Sequence, residues 1–520
     1  MKAQSIGNFK TATEGFATLE ILLSFTILIL CISAVIMVTF GNQSIAVDSE
    51  ISNEAISKAQ ALLEKARADS RQDFNLVNPY ILTETSGPLI FTKKLDVIQN
   101  DLFTKEVTST VSWQTGEKKL STIFTTLLTN REAENGGDTC SSLLTGDWKN
   151  PEIESTINFS SISPTGKYLL TDLDAYKGKL YVTVNKTTSK SDPTLFVFDV
   201  NDSINPTLLG KADNASNVTS GLNAVRVSEN TITNKIYAYA ASNTSSDYSS
   251  CDPIDSTTHV VNPACGQLYI FDVTNGSPIM NANLKIASTP SISGQNTGTS
   301  LFYKNGYLFL GLSANSSGPE FNILDVHQPD LIQSGPYTPL GSLEIGNGVN
   351  AIVIRDNYAY IASPNSEELQ ILDISSLNNP ILINSFNSPI GAGNGKSIYL
   401  VGSKLYLGKT NGAGSDFHIL DDTSPTDTLT SLGRIDVGSS NSVNKVIVRD
   451  YLSFLLTNKD LEIFDTSDPV NIKPWGTFTL PGAYDSSKPE PSMDCEGNRI
   501  FISSNNDGGQ GYIYIIKPGK

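Results

Sequence analysis

From Ile21 to Phe40 the chain runs for 20 residues without a charge, most of them apolar. That is the length an α-helix rising ~1.5 Å per residue needs to cross a bilayer core. The run is longer than the apolar core of a cleaved signal peptide and leads straight into more helix, so it predicts a retained transmembrane segment over 21–40. After Phe40 the apolar positions Ile51, Ala55, Ala59, Leu62, Leu63 and Ala66 recur at spacings of three and four, with Asp48, Glu50, Glu54, Lys58, Glu64 and Lys65 on other faces. One helix is therefore expected to continue to about Ser70. The period then changes to two: Leu89 to Leu95, Lys105 to Trp113 and Lys119 to Asn130 read as strands, with a turn at Gln114-Thr115-Gly116 between the last two.

From about residue 170 a two-part motif recurs seven times. Its first part is an aromatic or aliphatic strand: Lys179 to Val184, Lys235 to Ala240, Tyr307 to Leu312, Tyr358 to Ser363, Lys404 to Lys409, Leu452 to Thr457 and Arg499 to Ser504. Its second is a strand usually closed by aspartate: Leu195 to Asp199, Leu268 to Asp272, Phe321 to Asp325, Leu369 to Asp373, Phe417 to Asp421, Leu461 to Asp465, and Tyr512 to Ile516, where the aspartate is missing. Successive ends lie 73, 53, 48, 48, 44 and 51 residues apart, a period that, built of strands and turns alone, marks a propeller blade of about four strands. The unit Ala351 to Arg355, Tyr358 to Ser363, Leu369 to Asp373 and Ile381 to Phe386 supplies the four in order. On these residues, over roughly 150 to 520, the chain resembles the LVIVD-repeat propellers of exported bacterial proteins. The repeated aspartates end strands and precede turns such as Ser467-Asp468-Pro469, so each is expected to accept backbone hydrogen bonds rather than to hold a metal.

The last unit offers strands near Met493, Arg499 to Ser504 and Tyr512 to Ile516, then no fourth. A propeller without an open edge needs that strand from elsewhere, and Ile153 to Ser160 is the spare segment. Closure of this kind brings Cys140 within reach of Cys495. Five cysteines are present; Cys31 falls in the apolar run, leaving four that could form two bridges or remain thiols. Cys251 and Cys265, inside the long connection of the second unit, are the other natural pair, and both bridges belong to an oxidising compartment.

The leader Met1 to Gly15 carries Lys2 and Lys10, and Phe16-Ala17-Thr18-Leu19-Glu20 follows. Positive charge places the leader in the cytoplasm. A charged leader, a Gly15-Phe16 junction and a single acid, Glu20, ahead of an unbroken apolar helix resemble a type IV prepilin. That resemblance implies cleavage and methylation at Gly15 and Phe16 by a prepilin peptidase. It also implies pairing of Glu20 with the new α-amino group of a neighbouring pilin subunit, which answers the cost of a lone carboxylate at the start of a membrane helix. Val107 to Trp113, with its turn and following strand, resembles the minor pilins and pseudopilins of the PilV-like class.

Charge and candidate chemistry narrow the picture. With 36 Lys and Arg against 53 Asp and Glu, a net charge of −17 argues against nucleic acid or an anionic membrane surface as the partner of the propeller. His259, His327 and His418 stand in no zinc-ligand spacing. Gly391 to Ser397 ends like a phosphate loop, but Ile390 replaces its first glycine and no helix follows. Asp172-Leu173-Asp174 with Gly178 is a faint calcium-loop pattern lacking its closing acid. No catalytic residues, metal or cofactor are expected.

The expected organisation is multidomain: a leader over 1–15, a pilin-like helix over 16–72, a small antiparallel β-sheet domain over 73–138 and an all-β seven-bladed β-propeller over 139–520. The expected role is that of a minor pilin-like, non-enzymatic protein. It is single-pass in the cell membrane before assembly and extracellular on the pilus surface afterwards, and it displays the propeller for adhesion or for an unknown surface ligand. The alternatives are a pseudopilin-like component of a type II secretion or DNA-uptake machine, and a membrane-anchored propeller enzyme.

Overall fold

The computed structural model describes residues 14–72, 77–99, 104–115, 118–129, 139–140, 144–162, 168–185, 192–213, 221–230, 232–242, 266–286, 297–314, 318–364, 367–388, 393–412, 414–438, 442–507 and 510–520. The chain divides into two compact units, Met1–Asn130 and Arg131–Lys520.

The first unit is one helix against one sheet. Helix α1 spans Glu14–Gln72, and its outer part buries Ala55, Ala59, Leu62, Leu63 and Ala66. Small residues at three of these five positions let the helix lie close to the sheet, where Phe91, Leu95, Val107, Val111, Trp113 and Leu128 meet it. The sheet is an antiparallel meander of β1 (Tyr80–Ser86), β2 (Leu89–Gln99), β3 (Thr104–Thr115) and β4 (Lys118–Thr129). Strand β1 is absent from the sequence reading: its polar, half-exposed alternation is that of an edge strand, and Gly87 at φ 57° turns it into β2. Lys58 of α1 pairs with Glu54 one turn away at 3.1 Å and ties the helix to the sheet through Glu84 of β1 at 2.5 Å.

The expected membrane segment Ile21–Phe40 falls within α1, but it is not recovered as a span. The side chains described there run only from Leu22 to Met37, all exposed. Among the described residues no helix is long and apolar enough to cross a membrane.

The second unit is mostly β. Among its described residues are seven sheets, each built on four antiparallel strands in the manner of a propeller blade. The inner strands are Leu169–Tyr176, Leu222–Asn230, Gly298–Lys304, Ala351–Arg355, Gly395–Val401, Lys445–Arg449 and Met493–Gly497, for blades one to seven in turn. The next strands coincide with the sevenfold motif to within a few residues; five of the seven aspartate-type strands, among them Leu195–Asp199 and Leu369–Asp373, match end to end. In six of the seven blades a two-residue hairpin joins the inner strand to its neighbour and demands positive φ, as at Asn305 (51°) and Gly306 (79°). Blade two gains a fifth strand, Gly335–Tyr337, which runs parallel to Ile279–Ile286 and covers that edge.

The seventh blade is completed by Asp147–Asn158, which pairs antiparallel with Gln510–Gly519. The closing strand thus begins earlier than the expected Ile153 and ends at Asn158, before Ser160, which falls in a one-turn helix, Phe159–Ile162. Thr139–Cys140 adds a short parallel pairing to the inner strand Met493–Gly497. Cys140 and Cys495 are joined by a disulfide, with Cα atoms 5.1 Å apart and a sequence separation of 355. Trp148, on the closing strand, is buried edge-on against Phe454 of blade six at 5.0 Å.

Polar side chains stitch blade to blade at both ends of the inner strands. At one end Thr171 donates to Leu222 O (2.6 Å), Asn223 to Gly298 O (2.9 Å), Thr299 to Val349 O and Asn350 to Gly395 O (2.6 Å). At the other, Asn230 donates to His327 O (2.8 Å), Arg355 to Gly402 O and Arg449 to Gly497 O (2.8 Å), while Glu496 accepts from Gly178 N (2.8 Å).

Because the disulfide clamps the segment that closes the ring, Cys140→Ser with Cys495→Ser should lower stability by about 2–4 kcal/mol without changing the far-UV circular dichroism. Equilibrium urea unfolding of the oxidised protein against the double variant measures it; equal midpoints would contradict a stabilising role.

Candidate functional site

The inner strands of all seven blades line one cavity of about 500 Å³, within the range of small-molecule sites. Its wall is uneven. Blades three and four contribute no charge, presenting among others Leu301, Phe302, Ala351 and Val353. The charges come from the other blades: Asp172, Asp174, Arg226, Lys396, Lys445, Glu490 and Asp494.

Asp172 is the centre of this polar half. It is 4% exposed; its Oδ1 accepts from Ser492 Oγ of blade seven at 2.6 Å, and its Oδ2 accepts from Val225 N of blade two at 3.2 Å. Lys445 Nζ of blade six lies 3.4 Å from Oδ1, and Arg226 Nη1 lies 3.7 Å from Oδ2. Four blades thus meet at one carboxylate. Burial, the largest influence, pushes its pKa up, but Lys445, Arg226 and the two hydrogen bonds together hold it below the ordinary value. Asp174 repeats the pattern, accepting from Val227 N at 2.6 Å with Arg226 at 3.6 Å, and Asp494 accepts from Ala175 N at 2.6 Å. Across the cavity Lys396 bonds Glu490 and reaches Asn444 Oδ1 at 3.4 Å.

This arrangement presents fixed charges of both signs opposite an apolar wall. Asp172 and Asp174 sit in a strand, not a loop, and their oxygens are taken by backbone amides, the Ser492 hydroxyl and cations. The phosphate-loop pattern dissolves likewise: Lys396 and Ser397 belong to the inner strand Gly395–Val401. Asp199, Asp272, Asp325, Asp373, Asp421 and Asp465 each accept the backbone N–H two residues on, at 2.8–3.1 Å, the turn-forming role expected of them. His327 pairs with Asp325 on the surface at 2.7 Å. His418 is buried, and burial, then Lys409, push its pKa down to about 4. Among the described residues no group of three or more His, Cys, Asp and Glu is placed to hold a metal ion.

Gly15, Phe16 and Glu20 fall in the first turns of α1, and their side chains lie outside the described residues, as do Cys251, Cys265 and His259. Cys31 is an exposed free thiol. Arg226, Lys445, Ser492 and Asp494 escaped the sequence reading. The available signal was a charge or hydroxyl inside an otherwise apolar inner strand, as in Asn223-Ala224-Val225-Arg226-Val227.

Comparison with known proteins gives the LVIVD repeat family over residues 348–388, the stretch holding blade four. Among solved structures the chain is similar to the N-terminal domain of Nup159, at 10% identity and a TM-score of 0.37, over 72% of this chain and 97% of that one. No curated protein matches.

Asp172→Asn should cost about 2 kcal/mol at neutral pH, since it leaves Arg226 and Lys445 without their shared charge. As the folded-state pKa lies below the ordinary 3.8, the contribution is complete above that value and lost as pH falls through the folded one. Urea unfolding of both proteins from about pH 6 down to about pH 2.5 should show the gap closing only at the acid end. A gap independent of pH would remove the charge from the explanation.

Proposed function

We propose that the chain is a minor type IV pilin-like protein that carries its propeller outside the cell as a binding or adhesive head, with the central cavity as the ligand site. The observation that carries the binding reading is the cavity's division into an apolar wall and a rim of fixed opposite charges, which suits an amphipathic ligand better than a purely ionic one. The chain's net charge of −17 argues against nucleic acid as a partner for this head. The disulfide between Cys140 and Cys495 suits an oxidising compartment. The pilin half rests on the Gly15-Phe16 junction, on Glu20 and on an apolar helix continuing into a helix-on-sheet unit. A head of roughly 380 residues on every subunit of a thin fibre would clash with its neighbours, so a low-copy position at the tip is the natural one.

Two measurements test this. Mass spectrometry of the mature protein should find an N-terminus at Phe16; an intact Met1 would sink the pilin half. Ala351→Trp, which fills the cavity from its uncharged side, should abolish adhesion of fibre-bearing cells while leaving fibre number unchanged. Full adhesion by that variant would remove the cavity from the function.

A further inference from the structure

The propeller guards its outer strands against pairing with another chain. In six of the seven blades a bulge breaks the outermost strand pair, as between Ile371 and Leu372 in blade four. Blade three instead keeps its outer strand, Gly341–Leu343, to three residues. Bulges and shortness are both ways of stopping an edge from recruiting a further strand.

Neither edge of the first unit has a bulge. Strand β4 pairs with β3 without a shift over all 12 of its residues, and β1 pairs with β2 without a shift over all seven. From Leu120 to Thr129 β4 holds no charge, proline or glycine. On the face turned away from the helix β4 presents Ile123, 60% exposed, and β1 presents Ile81, 62% exposed. The charges carried by the two edge strands are opposite: Glu84 is the only one in β1, and Lys118 and Lys119 are the only ones in β4.

We propose that β4 of one copy takes β1 of a second copy as its next strand, extending the sheet head to tail. The edge strands of a four-stranded meander run in opposite directions, so β1 of a copy set alongside in the same orientation meets β4 antiparallel. Keeping both helices on one face allows only every second register, and one such register engages all of β1. It sets Ile123 opposite Ile81 on the outer face and Phe124 opposite Tyr80 on the helix face, with Lys118 diagonal to Glu84. A slip of two residues in either direction parts both matched pairs. Pairing β4 with β4 would turn one helix end for end, whereas the head-to-tail contact leaves the apolar stretch Leu22 to Met37 of both copies running the same way. The contact asks for two copies side by side, not one at every position of a fibre, and it is independent of what the cavity binds.

Sedimentation velocity of the full chain in detergent should show reversible self-association. Ile81→Lys and Ile123→Lys, both at exposed positions, should each weaken it by about tenfold. Ile98→Lys, on the same face but in the inner strand β2, should leave it unchanged. An equimolar mixture of the two edge variants should recover association, because the intact β1 of one protein then meets the intact β4 of the other. Unchanged far-UV circular dichroism in each variant separates these effects from misfolding. A monomeric wild type, unchanged association in both edge variants, equal weakening by Ile98→Lys, or a mixture no more associated than its components would each overturn the proposal. Weakening by Ile123→Lys alone would overturn it in favour of β4 pairing with itself.

Discussion

The second unit depends on a strand it borrows from its own beginning. Every other blade forms its four strands from consecutive sequence, but Gln510–Gly519 would be an open edge without Asp147–Asn158 beside it. An unpaired edge in a sheet this apolar invites pairing with another chain. Closure removes it and brings blade seven against blade one, where Asp172 accepts from Ser492. The cavity therefore exists only in the closed ring, because its polar half is assembled from residues that lie more than 300 positions apart in sequence and meet across that seam.

Around the ring, stability and site geometry rest on the same groups. Hydrophobic packing between blades is non-directional and would tolerate some rotation of one blade on the next. The polar stitches are directional: Asn223 to Gly298 O, Asn350 to Gly395 O and Arg449 to Gly497 O each fix one blade's height relative to its neighbour. Buried polar groups are costly unless paired, so each stitch holds a single register, and the charged rim of the cavity inherits that precision.

Much of this was legible in the sequence, for identifiable reasons. Strands such as Phe321–Asp325 and Leu369–Asp373 read out end to end because a short apolar run closed by an aspartate turn is a local signal repeated six times. The need for a borrowed strand was legible as well, since it follows from counting strands in the last unit. Strand Tyr80–Ser86 was missed because an edge strand buries little and so carries a weak pattern, and Gly335–Tyr337 because three residues carry almost none. The cavity was illegible for a different reason: Asp172, Arg226, Lys445 and Ser492 are unremarkable one at a time, and only tertiary folding makes them neighbours. The apolar composition over 21–40 is plain in the sequence, while among the described residues no helix is long and apolar enough to cross a membrane.

The order of attachments along the chain bears on mechanics. A pull arriving from the first unit enters the second along residues that lead to Cys140, and the disulfide to Cys495 stands before the closing strand Asp147–Asn158. Tension is thereby passed through a covalent bond into the inner strand of blade seven, and the antiparallel ladder with Gln510–Gly519 is bypassed. With the bond intact, less of the load falls on that ladder. With the bond reduced, the same force would act on the ladder itself, so the redox state of one bond sets how the closing strand is loaded.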